Sequence, residues 1–213
     1  MATRRAIIER IRRQVYNDYP ASEATITIGL VNSYLNDALA FAAKQNYKEN
    51  GLLEAVASVN NSFYSTFKNL SVSQDSQFIW KITLPQVPVG LGYNDGISTL
   101  TFNDSESSQI SKTVIWLTEN QRTYFDSMRP IPNKLIAYYQ GDSAYVKSTL
   151  LLSAYTANVT MVSAGLSNDL DSVMNFPNDY MPMVQEYITK QLILERSQLV
   201  DAQNDGLDAV KTT

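Results

Sequence analysis

The chain has 213 residues, a net charge of −4, 44% hydrophobic and 18% charged residues, so it is long enough to bury a core and too apolar to be disordered. It contains no Cys and no His, which excludes disulfides, thiolate or imidazole metal sites and every Ser–His or Cys–His dyad. No apolar run reaches the roughly 20 residues of a membrane span, and the charged N-terminus lacks an apolar stretch behind it, so we expect no secretory signal and a protein that stays in the cytoplasm.

Charge is unevenly placed. Residues 1–13 carry five Arg against one Glu, leaving −8 on the remainder. A basic head on an acidic body points to an oriented contact with an acidic partner, although a solvated Arg-studded helix would read the same way. In Thr3 to about Tyr16 the residues Ile7, Ile8, Ile11 and Val15 form one helical stripe, with Arg4, Arg5, Arg10, Arg12 and Arg13 expected on the other faces. Without interleaved aromatics, this cluster fits a protein surface better than nucleic acid.

Asn17 to Pro20 break the first helix, and a second is predicted from Thr27 to Tyr47, ended by Lys48-Glu49-Asn50-Gly51. Leu53, Val56, Val59, Phe63 and Phe67 predict a third, weaker helix to about Lys68. The period then changes to two. Phe78, Trp80, Ile82 and Leu84 alternate onto one face of a strand stopped by Pro85. A loop to Gly96 precedes a second strand, Ile97 to Phe102. A polar loop, Asn103 to Ser111, leads to the apolar run Val114 to Leu117. Thr118 with Gln121 has capping-box spacing for a short helix to about Met128. Arg129 to Pro132 form a rigid connector. Lys134–Gln140, Gly141-Asp142 and Ser143–Ser148 read as a hairpin, and Ala157 to Ala164 as a further strand.

After an acidic loop, Asn168 to Asn175, the last fifth of the chain reads as a long amphipathic helix. Asn178 or Asp179 would cap it and Pro182 would lie in its first turn. Val184, Tyr187, Ile188 and Leu192 supply its stripe to about Val200, and Asn204-Asp205-Gly206 its stop. The order predicts an α+β fold: a helical bundle of N- and C-terminal helices with a central antiparallel β region. The segments are N-terminal helices 1–68, a β-rich region 69–165, and a C-terminal helix and tail 166–213 packed with the first.

Candidate chemistry is sparse. Gly90-Leu91-Gly92 lacks the spacing of a dinucleotide loop. Asp201, Gln203, Asp205 and Gly206 begin like a calcium loop but meet Thr212 where a bidentate Glu is required, so helix capping accounts for them better. Asp169 with Asp171, and Asp104 with Glu106, lie in polar loops without an apolar pocket to raise a pKa. Asn158-Val159-Thr160 has glycosylation spacing inside a predicted strand.

Three stretches carry a resemblance: the helix ending Asp37-Ala38-Leu39-Ala40-Phe41; Thr66-Phe67 through Phe78-Ile79-Trp80-Lys81-Ile82-Thr83-Leu84-Pro85 to Asn94-Asp95-Gly96-Ile97; and Tyr180 to Gly206. In these the chain resembles head-to-tail connector proteins of short-tailed bacteriophages, most closely the ring or adaptor proteins of crAss-like phages. The resemblance implies a virion structural protein at the portal vertex, assembled in the host cytoplasm. It implies a closed ring of about twelve copies, portal and other connector or tail rings as partners, DNA passing through the lumen without sequence-specific binding, and no membrane, enzyme activity or cofactor. Arg4, Arg5, Arg10, Arg12 and Arg13 would meet the portal or a neighbouring ring. The acidic body would repel passing DNA over roughly 8 Å. The alternative is a glycan- or protein-binding β module of a phage tail or bacterial cell, motivated by the Tyr and Trp content.

Overall fold

Thr3 sits in extended backbone and its Oγ1 accepts the Ala6 N–H at 3.3 Å, which starts α1, Arg4–Val15. Thr27 does the same for Leu30 at 3.2 Å and opens α2, Ile28–Glu54. In the computed structural model the described residues are 3–16, 26–54, 59–92, 96–103, 109–110, 113–163, 170–171, 174 and 177–204. They mix helix and sheet in two units, Met1–Ala42 with Ser167–Thr213, and Ala43–Leu166. The expected break at Asn17–Pro20 lies outside the described residues, as do residues 205 and 206 of the expected C-terminal stop.

In the first unit Ile7, Ile8 and Ile11 of α1 are buried, with Val31, Leu35 and Ala38 of α2 and Val184, Ile188 and Leu192 of α4, Met181–Asn204. The stripes expected for α1 and α4 are thus buried except at Val15 and Tyr187, which are half-buried. The chain enters α4 through a 3-10 turn, Asn178–Tyr180, where Tyr180 N–H donates to Pro177 O at 3.2 Å. The helix runs to Asn204 rather than about Val200.

In the second unit the predicted stop at Lys48–Gly51 is overturned: α2 continues through it. Gln45 Nε2 donates to Glu49 Oε1 at 3.1 Å, and buried Asn46 takes the Asn60 N–H at 2.8 Å. These bonds offset the about 1 kcal/mol that Gly51 costs inside a helix. The third predicted helix is also overturned. Residues 52–54 are helical as the end of α2, residues 55–58 lie outside the described residues, 61–63 form one 3-10 turn, and β1, Tyr64–Ser76, takes the place of the last expected turn.

The strands are β1, β2 (Ile79–Thr83), β3 (Ile97–Asn103), β4 (Gln109–Ile110), β5 (Thr113–Trp116), β6 (Lys134–Gln140), β7 (Ser143–Lys147) and β8 (Thr156–Val162). They form one sheet in the order β4-β3-β8-β1-β2-β7-β6-β5. Ile110 ends one edge strand and Thr113 begins the other, so three Cα steps hold the two edges within about 11 Å. That constraint rolls the sheet toward a barrel around Trp80, Ile82, Phe102, Leu135, Val159 and Met161. The long strand β1 serves both halves. Its residues 64–71 pair with β8 and 72–76 with β2, with a bulge at Asn69 (φ 58°) whose N–H is taken by Asn158 Oδ1 at 3.0 Å.

Three further expectations change. The β region is not wholly antiparallel, because β5 pairs parallel to β6. Residues 117–133, which include the short helix α3 (Glu119–Arg122), are long enough to carry that crossover. Phe78 does not join Trp80 and Ile82 on the inner face; it sits exposed in the β1–β2 turn with φ 64°. The helix after Thr118 ends at Arg122, followed by turns rather than helix to Met128. The hairpin β6–β7, strand β3 and the inward pair Val159 and Met161 follow the sequence pattern. Gly96 (φ 79°) is required where it stands, since a Cβ there would lie 2.3 Å from the Val89 carbonyl oxygen.

Candidate partner-binding site

The five arginines of α1 do not share one surface. Arg4 precedes Ile7, Ile8 and Ile11 by three, four and seven residues, which puts it on their stripe, and it is 2% exposed. Its Nε donates to Asn32 Oδ1 at 2.5 Å and its Nη2 to Asn36 Oδ1, both on α2. Burial lowers its pKa from the ordinary arginine value, but a guanidinium keeps its proton at neutral pH. The exposed position expected for Arg4 is therefore corrected. Arg12 is half-buried, and its Nε is turned inward without a hydrogen-bond partner among the described residues.

Arg5 is exposed and grips residues 170–171 twice. Its N–H donates to the Leu170 carbonyl at 2.7 Å, and its guanidinium spans the Asp171 carboxylate at 2.8 and 3.2 Å. The hydrogen bond and charge of Arg5 hold the Asp171 carboxyl below its usual range. This commits Asp171, one of the loop carboxylates singled out from sequence; Asp104, Glu106 and Asp169 lie outside the described residues. Arg10 and Arg13 remain exposed, and no ion-pair partner for them occurs among the described residues. With Ala6, Glu9 and Gln14 they line a groove of about 420 Å³ along the outer face of α1.

The helix directions within this unit follow from three contacts. Tyr16 Oη at the end of α1 accepts the Ile26 N–H just before α2 at 3.0 Å, while Arg4 reaches Asn32 and Asn36. α1 is therefore antiparallel to α2. Tyr34 donates to Glu195, and Phe41 stacks on Tyr187 with centroids 5.4 Å apart, so α4 is also antiparallel to α2. Phe41 (45% exposed), Ile193 (55%) and Leu194 (54%) leave large apolar side chains on the surface of α2 and α4.

The Glu195 hydrogen bond, then burial and the nearby charge of Glu195 and Asp37, push the Tyr34 phenol up to about 12. A raised phenol pKa means the fold holds the neutral form, so this contact is fully present below about pH 10 and is lost as pH rises through about 12. Spectrophotometric titration at high pH is expected to show a late-ionising component that loses one tyrosine in Tyr34→Phe and moves down in part in Glu195→Gln.

Sequence reasoning missed Asn32, Asn36 and Glu195 as partners. The i, i+4 spacing of the two asparagines facing a stripe that includes Arg4 was the available signal. Among the described residues no three or more acidic side chains are grouped to hold a metal ion, and no helix is long and apolar enough to cross a membrane. No protein-family model matches the chain, and no curated protein matches it.

Proposed function

We propose that this chain is a virion structural protein that forms a ring in the head-to-tail connector of a short-tailed bacteriophage, linking portal to tail around the DNA channel. The observation that supports it most is the surface left on α1, α2 and α4. Arg10 and Arg13 sit on one helix and Phe41, Ile193 and Leu194 on the other two, all exposed. Such faces suit protein contacts. In this reading the N- and C-terminal helices act as a bundle presented to neighbours, and the basic face of α1 meets an acidic surface of the portal or of an adjoining ring. The acidic remainder of the chain keeps DNA from sticking in the lumen.

The test is electron microscopy of the purified chain with and without the cognate portal. The expected result is a closed ring seated coaxially on the portal. A chain that stays monomeric and does not co-sediment with portal at low salt would overturn the reading. A carbohydrate- or protein-binding β module is the second reading. Tyr138 and Tyr145, half-buried on the outer face of the sheet, are stacked with centroids 5.0 Å apart, and Lys81 Nζ lies 5.9 Å from the Tyr145 centroid. Saturable glycan-array binding abolished by Tyr145→Ala would favour it.

A further inference from the structure

The five arginines of α1 form one patch in sequence, and the fold takes that patch apart. Arg4 is buried against Asn32 and Asn36, the Arg5 guanidinium is spanned by Asp171, and the Arg12 Nε is turned inward. Arg10 and Arg13 stay exposed in the groove, and Glu9 lines it beside them. Glu9 follows Arg5 by four residues and precedes Arg12 and Arg13 by three and four, spacings that make side chains on a helix neighbours, with Cβ atoms about 5–6 Å apart. It is exposed and has no ion-pair partner among the described residues, so its charge faces whatever enters the groove. A nucleic-acid backbone is an unbroken row of phosphates. Along α1 it would meet two exposed guanidinium groups, one carboxylate beside them and a second, Asp171, near the start of the helix. Two carboxylates on a protein fit better. Arg10 and Arg13 lie about one helical turn apart, and Ala6, one turn before Arg10, is short enough for a partner's backbone to come close.

We propose that Glu9 and Asp171 determine the specificity of this face: they keep nucleic acid off it and reserve Arg10 and Arg13 for a pair of carboxylates one helical turn apart on a protein partner. For its purpose this rests on the connector reading, in which DNA is threaded past every subunit and a basic face that held it would obstruct the channel. The two residues act differently. Asp171 takes the Arg5 guanidinium into a two-pronged contact at 2.8 and 3.2 Å, which removes one cation from the patch. Glu9 instead repels a phosphate that approaches Arg13, within the roughly 8 Å over which a charge is felt at physiological salt. A partner with two discrete carboxylates can seat them on Arg10 and Arg13 and turn away from Glu9, which a continuous polyanion cannot do.

Two probes test it on the full chain. The first is a 30-base-pair duplex, titrated at several salt concentrations by fluorescence anisotropy. The wild-type chain is expected to bind weakly, with a slope of log affinity against log salt below about 2. Glu9→Gln should tighten binding about threefold at low salt. Adding Asp171→Ala, which releases Arg5, should bring the gain to about tenfold and steepen the slope by about 1. Unchanged duplex affinity in the double variant would overturn the role given to the two carboxylates. A wild-type slope of about 4 or more would overturn the assignment to protein, because the arginines would then hold DNA in spite of them. The second probe is an alanine-based helical peptide with two Glu four residues apart, followed by nuclear magnetic resonance. The expected result is movement of the Arg10, Arg13 and Gln14 amide signals that is lost in Arg10→Gln, Arg13→Gln. Signals that stay in place in the wild-type chain would overturn the carboxylate pair as the ligand. Circular dichroism confirms that these exposed substitutions leave the helices intact. Because no portal is present, failure here is separable from failure of the ring reading.

Discussion

Arg4→Ala is expected to destabilise the helical unit by about 3 kcal/mol, whereas Arg13→Ala stays within about 0.5 kcal/mol. The two residues belong to one apparent cluster in sequence, and their environments are opposite. Arg13 is exposed on the groove, so truncating it removes little but long-range charge. Arg4 is among the largest fully buried side chains of the chain. Its truncation leaves a cavity under α1 and takes the donors from Asn32 and Asn36 Oδ1. Two nitrogens of the planar guanidinium, Nε and Nη2, serve two acceptors one helical turn apart, a geometry a single ammonium does not reproduce. Arg4→Lys should therefore recover only about half of the loss, and Arg4→Met the packing part alone. Urea unfolding followed by far-ultraviolet circular dichroism measures all four variants. Equal midpoints for Arg4→Ala and Arg13→Ala would show that the buried network contributes nothing.

That contrast also shows where the sequence was readable. Ile7, Ile8, Ile11, Val31, Leu35, Val184 and Ile188 repeat at helical spacing and are buried as expected, because an amphipathic stripe has one stable solution. The same spacing placed Arg4 on the stripe, but hydropathy alone assigns a charged side chain to solvent. The error in β1 has a geometric cause. Phe63 and Phe67 lie four residues apart and so extend the helical spacing begun at Leu53, yet Phe63 ends a 3-10 turn and Phe67 lies in β1 against the inner core, where the bulge at Asn69 breaks the period of two before Leu70. The overrun of α2 depends on Asn60, fourteen residues from Asn46, and no local signal reports such a partner. The parallel pairing of β5 is long-range in the same way, since Thr113–Trp116 is too short for its direction to be read from pattern. The site divided likewise: Arg10 and Arg13 were legible as exposed charge, while Asp171, which holds Arg5, lies 166 residues away.

The crossover that makes β5 and β6 parallel depends on Lys147, and Lys147→Met is expected to cost about 3–4 kcal/mol. Lys147 ends β7 and is 3% exposed. Its Nζ donates to the carbonyl oxygens of Phe125, Asp126 and Met128 at 2.5, 3.1 and 3.0 Å and lies 4.8 Å from the Phe125 centroid. Burial holds its pKa below the ordinary lysine value, partly countered by Asp126, so at neutral pH the fold bears the desolvation of an ammonium that the three carbonyls offset. No carboxylate could do this, because the turn after α3 presents only acceptors. Methionine keeps the stem and the contact with Phe125 but leaves three carbonyls without their donor. The loss should be felt first in residues 117–133, whose Leu117 and Phe125 cluster with Ile79 and Ile136 on the outer face of the sheet, while the inner core around Phe102 and Val159 is untouched. Limited trypsin digestion reads this directly, since the cleavable Arg122 and Lys134 bracket the turn, while the Arg129–Pro130 bond resists the protease. Cleavage there is expected to accelerate about a hundredfold in Lys147→Met if opening is local. Wild-type cleavage rates in that variant, with unfolding midpoints unchanged, would show that the three hydrogen bonds do not hold the crossover in place.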